Sequence, residues 1–120
     1  MKRDAELIRK MLIAIEECPA DERINSFNFE GYDHDTVVRH LELLIDAGLV
    51  DGEVIHYVSS DPSNFVVHDL TWEGHDFVDA VRDETIWKKV KEKLLKPTGS
   101  WTFGLIVEYA KAEIRSRLGF

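Results

Sequence analysis

The stretch from Asp33 to Asp51, DHDTVVRHLELLIDAGLVD, restricts the fold more than any other part of this chain. Val37, Leu41, Leu44, Ile45 and Gly48 recur at helical spacing, with Val38 at the edge of the stripe, which predicts a helix with one core face. Asp33 is placed to cap its start. Gly48 is placed to end it in the left-handed conformation, with Leu49 folding back on Leu44. Such a helix cannot bury its apolar stripe alone, so the flanking segments must supply a layer against it.

Two β-rich arms follow, Glu53 to Val58 and Phe65 to Leu70, joined by the turn-forming run Ser59 to Asn64. They read as a hairpin. Thr71 is a cap for the next helix, whose apolar positions Trp72, Phe77, Val78 and Val81 are expected to face the core. The pattern changes phase near Asp83, a second cap, and Ile86, Trp87, Val90 and Leu94 form a new stripe. Upstream, Lys2 to Glu17 is helical by period and stops at Cys18-Pro19, since a residue before proline avoids the helical region. Between them RINSFNFE, Arg23 to Glu30, alternates so that Phe27 and Phe29 share a side, which predicts a short strand paired with the hairpin. Pro97 to Ser100 reads as a linker, and a last helix lines up Phe103, Ile106, Val107, Ala110, Ile114 and Leu118, widened by Leu105 and Tyr109.

This order is that of an α+β, winged-helix-like single domain: N-terminal helix, short strand, central helix and β-hairpin wing, then a helical C-terminal extension. The expected boundaries are 1–96 for the domain, 97–100 for the linker and 101–120 for a helix packing on it or on a partner. A helix-turn-helix needs two helices before the wing. The residues from Pro19 to Asp33 are too few for both a strand and a helix, so either the strand is absent or the supporting helix is missing or reduced to a turn.

At 120 residues and 44% apolar composition, the chain suffices for one core. It has no apolar run long enough for a membrane span, no signal sequence and a single cysteine, Cys18, so a cytoplasmic protein without a membrane partner is expected. The net charge of −8 is unevenly spread. Residues 16–83 hold seventeen acids against three arginines and no lysine, a local balance of −14, whereas both ends are basic.

That imbalance decides how the candidate sites are weighed. The outward side of the central helix carries Asp35, Thr36, Arg39, Glu42, Leu43 and Asp46, with His40 on the boundary. Reading DNA in the major groove calls for basic and amide side chains among groups that displace phosphate counterions. Here acids outnumber one arginine, so Asp35, Arg39, Glu42, Leu43 and Asp46 are read as a surface for an unidentified protein partner. The alternative is nucleic-acid binding through the basic helix, with Arg82, Lys88, Lys89, Lys91, Lys93 and Lys96; its plain reading is a solvated face. Exposed apolar residues of the last helix point to a possible homodimer through it.

Five histidines lack a metal-ligand spacing, and His56 and His68 are expected as cross-strand neighbours of structural type. Cys18 sits among Glu16, Glu17 and Asp21, which oppose a thiolate. With no phosphate loop and no nucleophile elbow, neither catalysis nor a cofactor is expected.

The opening MKRDAELIRKML, the RHLELLIDAGLV helix and the run LTWEGHDFVDAVRDETIWKKVKEK resemble a family of small bacterial and bacteriophage proteins, frequent in prophages, whose members form a domain of unknown function. LTWEGHDF and DETIWKKV are the specific part of the likeness. It implies a phage-linked cytoplasmic protein with a winged-helix fold. It implies no activity and no site residue.

Overall fold

The computed structural model describes residues 2–56, 64–95 and 101–119. These form five helices and one two-stranded antiparallel hairpin, an α+β composition. The chain divides into two units, Met1–His75 and Asp76–Phe120. Helix α1 spans Ala5–Glu17, α2 His34–Asp46, β1 Val50–Ile55, β2 Asn64–Leu70, α3 Trp72–Val81, α4 Glu84–Lys93 and α5 Phe103–Leu118. The expected turn at 59–63 and linker at 97–100, together with Lys96 and Phe120, lie outside the described residues.

In the first unit α2 packs on β1, while α1 packs on β2 and α2. Leu7, Ile8, Met11, Leu12 and Ile15 of α1 bury against Val37, Val38, Leu41 and Leu44 of α2 and Phe65, Val67 and Leu70 of β2. Helix α1 starts at Asp4 rather than Lys2, because the Asp4 carboxylate accepts the Leu7 N–H at 3.1 Å. The same residue is a junction. Its other carboxylate oxygen accepts the Tyr32 hydroxyl at 2.8 Å, and its N–H donates to His40 Nε2 at 2.8 Å. His40 is therefore buried, not on the boundary, and the ring takes the tautomer whose Nδ1–H donates to the Thr36 carbonyl at 2.8 Å. Both ring nitrogens are used, which satisfies a polar side chain in an apolar setting.

Helix α2 begins at Asp33, whose carboxylate accepts the Thr36 N–H at 2.8 Å. It ends in a Schellman motif. Gly48 has φ +78, its N–H donates to Ile45 O at 3.0 Å, and Leu49 N–H donates to Leu44 O at 2.9 Å. The chain thus leaves the helix directly into β1.

The hairpin starts earlier than the sequence pattern suggests, at Val50, because Val50 pairs with Leu70 and is buried. A bulge between Asp51 and Gly52 absorbs His68, so Asp51 faces Asp69 while Gly52 faces Val67. Glycine is required there, since a Cβ on Gly52 would lie 2.6 Å from Val66 O. The bulge also corrects the expected pairing of the histidines: Ile55 is opposite Asn64, so His56 and His68 are not cross-strand partners.

The expected strand over Arg23 to Glu30 contracts to a single bridge. Ile24 exchanges both backbone bonds with Val67, at 3.0 and 2.8 Å, and pairing goes no further. Ring contacts hold the rest of that segment: Phe27 stacks on Phe65 with centroids 5.2 Å apart and on Phe29 at 5.4 Å. No helix lies between α1 and α2.

Helix α3 is set by Thr71, whose hydroxyl donates to Gly48 O at 2.5 Å and accepts the Gly74 N–H at 3.1 Å, while its N–H donates to Leu49 O at 3.0 Å. Gly74 then lies against Leu49, where a Cβ would fall inside the contact shell of the Leu49 carbonyl oxygen. Position 72 is about 200° away from position 74 around a helix. Trp72 consequently points to solvent, 79% exposed, which overturns its expected place in the core.

In the second unit, α4 starts at Asp83, whose carboxylate accepts the Ile86 N–H at 3.0 Å, and it packs on α5. Phe77, Val78, Ile86, Trp87, Val90, Ile106 and Ala110 are buried, and Phe103 meets Phe77 edge-on at 5.3 Å. Of the apolar stripe expected on α5, Phe103, Val107 and Ile114 are only half-buried, while Leu105 and Leu118 are exposed. Thr102, one turn ahead of the Leu105 N–H that it accepts at 3.1 Å, caps α5.

Two measurements check this account. Gly74→Ala gains helix propensity worth about 1 kcal/mol, but the rigid Leu49 carbonyl cannot yield, so urea denaturation should show a net loss of about 1–3 kcal/mol from overpacking. The second concerns acid. The bond from Thr36 holds the Asp33 carboxyl below its ordinary range, and the Ile86 N–H, helped by Arg117, does the same for Asp83. A carboxyl lowered on folding adds stability above its unfolded value and loses it as pH falls through the folded one. Asp33→Asn with Asp83→Asn keeps both caps, so the double variant should show a shallower fall in urea midpoint than the parent below about pH 4.

Candidate interaction surface

Residue spacing on α2 brings the expected partner surface to one side of the helix. Asp35, Arg39 and Asp46 are exposed, whereas Glu42 and Leu43 are half-buried. Arg39 Nη1 lies 3.8 Å from Glu42 Oε2, one helical turn on, so the only arginine on this helix faces a carboxylate of its own surface. With Arg39 62% exposed, water screens the pair and its contribution to stability is small.

Strand β1 completes the site. His56, at its end, sets Nε2 against Glu42 Oε1. That oxygen is enclosed by protein, makes no aligned hydrogen bond and has the His56 imidazole against it. Glu42, Ile45, Asp46, Val54 and His56 line an open cleft of about 210 Å³. A space of this size between a helix and a strand admits a single side chain and falls short of the usual small-molecule pocket. Periodicity could place Glu42 and Asp46 on one face, but the approach of His56 depends on hairpin register and was not legible in the chain.

Past the cleft, the acidic character continues through the hairpin. Asp51 and Asp69 are directly opposite in the ladder and both are exposed. His75 bridges elements, its Nδ1 3.9 Å from Glu16 and its Nε2 3.8 Å from Asp69. No lysine or arginine occurs from His40 through Val81.

The basic residues expected as the alternative surface belong to the second unit. Lys88, Lys91 and Lys93 are exposed on α4. Lys89 is bound: its Nζ donates to Glu113 Oε2 of α5 at 2.9 Å, which holds the Glu113 carboxyl below its ordinary range. Arg82 sits 3.1 Å from Asp79, and Arg117 of α5 donates to Asp83 at 3.1 Å. The pairs 83 with 117 and 89 with 113 run in opposite senses, so α4 and α5 are antiparallel. Burial raises the pKa of the Tyr109 hydroxyl beside this ladder. Part of the basic set therefore joins two helices.

Cys18 is half-buried at the end of α1. Among the described residues no group of three or more histidine, cysteine, aspartate or glutamate side chains is arranged to hold a metal ion, and no helix is long and apolar enough to cross a membrane.

Comparison with known proteins finds uncharacterised relatives of the chain. An uncharacterized protein of Haemophilus influenzae is 32% identical over 119 residues, covering 98% of this chain and 99% of its own length. No solved structure matches the chain. The hypothetical-protein family DUF2513 matches residues 2–100, from the start of the first unit past the end of α4, and the chain belongs to that family.

Proposed function

We propose that this chain is a non-catalytic, cytoplasmic, phage-linked protein of winged-helix type that engages a protein partner through the acidic surface of its first unit. The order α1, bridge, α2, hairpin, α3 supports the winged-helix reading, with the Ile24 bridge in the place of the first strand. A supporting helix ahead of α2 is missing from that plan.

One observation carries the functional reading. The helix that would enter a DNA groove presents Asp35, Glu42 and Asp46 together with an arginine already facing Glu42, and the next forty residues add no lysine or arginine. Each phosphate contact needs a cation that releases a counterion, and this face has none to spare. Carboxylates beside the half-buried Leu43 and the small cleft suit the rim and pocket of a protein interface instead. The exposed Leu105 and Leu118 on α5 favour a role in packing or self-association.

A second reading is a DNA-binding regulator that uses α4, favoured by the exposed Lys88, Lys91 and Lys93. Fluorescence anisotropy with mixed-sequence duplex DNA at low salt separates the two. No binding is expected. Salt-sensitive binding that disappears when Lys88, Lys89 and Lys91 are changed to glutamine would establish the second reading in place of the first.

A further inference from the structure

We infer that the junction of α2, β1 and α3 is a docking point for a lysine- or arginine-bearing protein segment, with Trp72 as its anchor. This rests on the interaction reading above and names its place and chemistry.

Among the described residues Trp72 is the most exposed of the large apolar side chains at 79%, while Trp87 is 1% exposed. Its ring makes no stacking contact or hydrogen bond among the described residues. The exposure is built in. Three bonds from Thr71 to Gly48, Leu49 and Gly74 orient the first turn of α3, and the close approach of Gly74 to Leu49 turns position 72 outward. An indole of this size left in water is unfavourable, and tryptophan is among the residues that dominate binding interfaces.

The surrounding charge selects the occupant. Glu73 follows Trp72 and is exposed; Asp69, three residues before it, is 60% exposed. Across the ladder Asp69 faces Asp51, a like-charged pair whose repulsion opposes the hairpin. Asp46 stands exposed two residues before the Gly48 carbonyl that Thr71 holds. His75 lies 3.8 Å from Asp69, and no lysine or arginine lies between residues 40 and 81. A guanidinium or ammonium group suits both halves of the site: it can lie on the indole face and donate to the carboxylates, relieving the pair of aspartates. A nucleic acid would bring its phosphates against the same carboxylates.

The test uses the full chain and a fluorescein-labelled nona-arginine peptide, followed by anisotropy. Trp72→Ala should weaken binding about tenfold, and Trp72→Phe less, because tryptophan is the best ring for a cation. Asp51→Asn with Asp69→Asn should weaken binding and raise the urea midpoint. Asp21→Asn with Glu22→Gln, which removes the same charge at exposed positions elsewhere, should leave binding as in the parent. Urea midpoints of the Trp72 variants, close to the parent's, exclude misfolding as the cause. If Trp72→Ala binds like the parent and both neutralised pairs weaken binding equally, net charge alone acts, and the docking point is overturned while the interaction reading stands. A parent chain that fails to bind the peptide overturns both, as does duplex DNA binding that Trp72→Ala abolishes.

Discussion

The first unit depends on how closely two stretches of backbone meet: α3 at Gly74 and the Leu49 carbonyl just beyond α2. Contact at that range has no room for a side chain, so it exists only because residue 74 has none. From it follow the Thr71 bonds to Gly48 and Leu49, which tie the end of α2 to the start of α3 and bring Val50 and Leu70 together at the base of the hairpin. Hydrophobic burial supplies the drive, with Leu44, Leu49, Val50 and Leu70 all enclosed there. Backbone geometry decides where the drive leads.

The same junction sets the surface. Because Gly74 faces inward, the tryptophan two residues before it faces out, and because a bulge shifts the ladder at Gly52, Asp51 meets Asp69 instead of a neutral residue. Neither placement helps the unit fold. An exposed indole and an opposed pair of carboxylates both oppose stability. In the second unit the opposite economy holds, since Lys89 and Arg117 meet Glu113 and Asp83 and part of the positive charge is satisfied between α4 and α5.

Much of the local structure was legible in the chain. Asp33, Thr71 and Asp83 cap their helices as the sequence pattern implied, Gly48 ends α2, and the phase change near Asp83 separates α3 from α4. These features rest on interactions between residues three or four apart, and such residues carry their own geometry. Longer-range features were not legible. Alternation in RINSFNFE suggested a strand, yet only Ile24 pairs, and Phe27 meets the hairpin through its ring on Phe65 instead. His40 looked like a boundary residue until Asp4, thirty-six positions earlier, supplied the N–H that fills its second nitrogen.

The order of helices and strands, their caps and the confinement of lysine to the ends were determined by sequence, through short-range bonding and simple composition. Tertiary structure alone decided which side of each element meets another: Trp72 outward, His40 inward, His56 against Glu42 and Asp51 opposite Asp69. The reason is physical. A helical or strand period defines faces relative to one another, but only the approach of a second element, here a glycine against a carbonyl and a bulge in a two-stranded ladder, determines which face is buried.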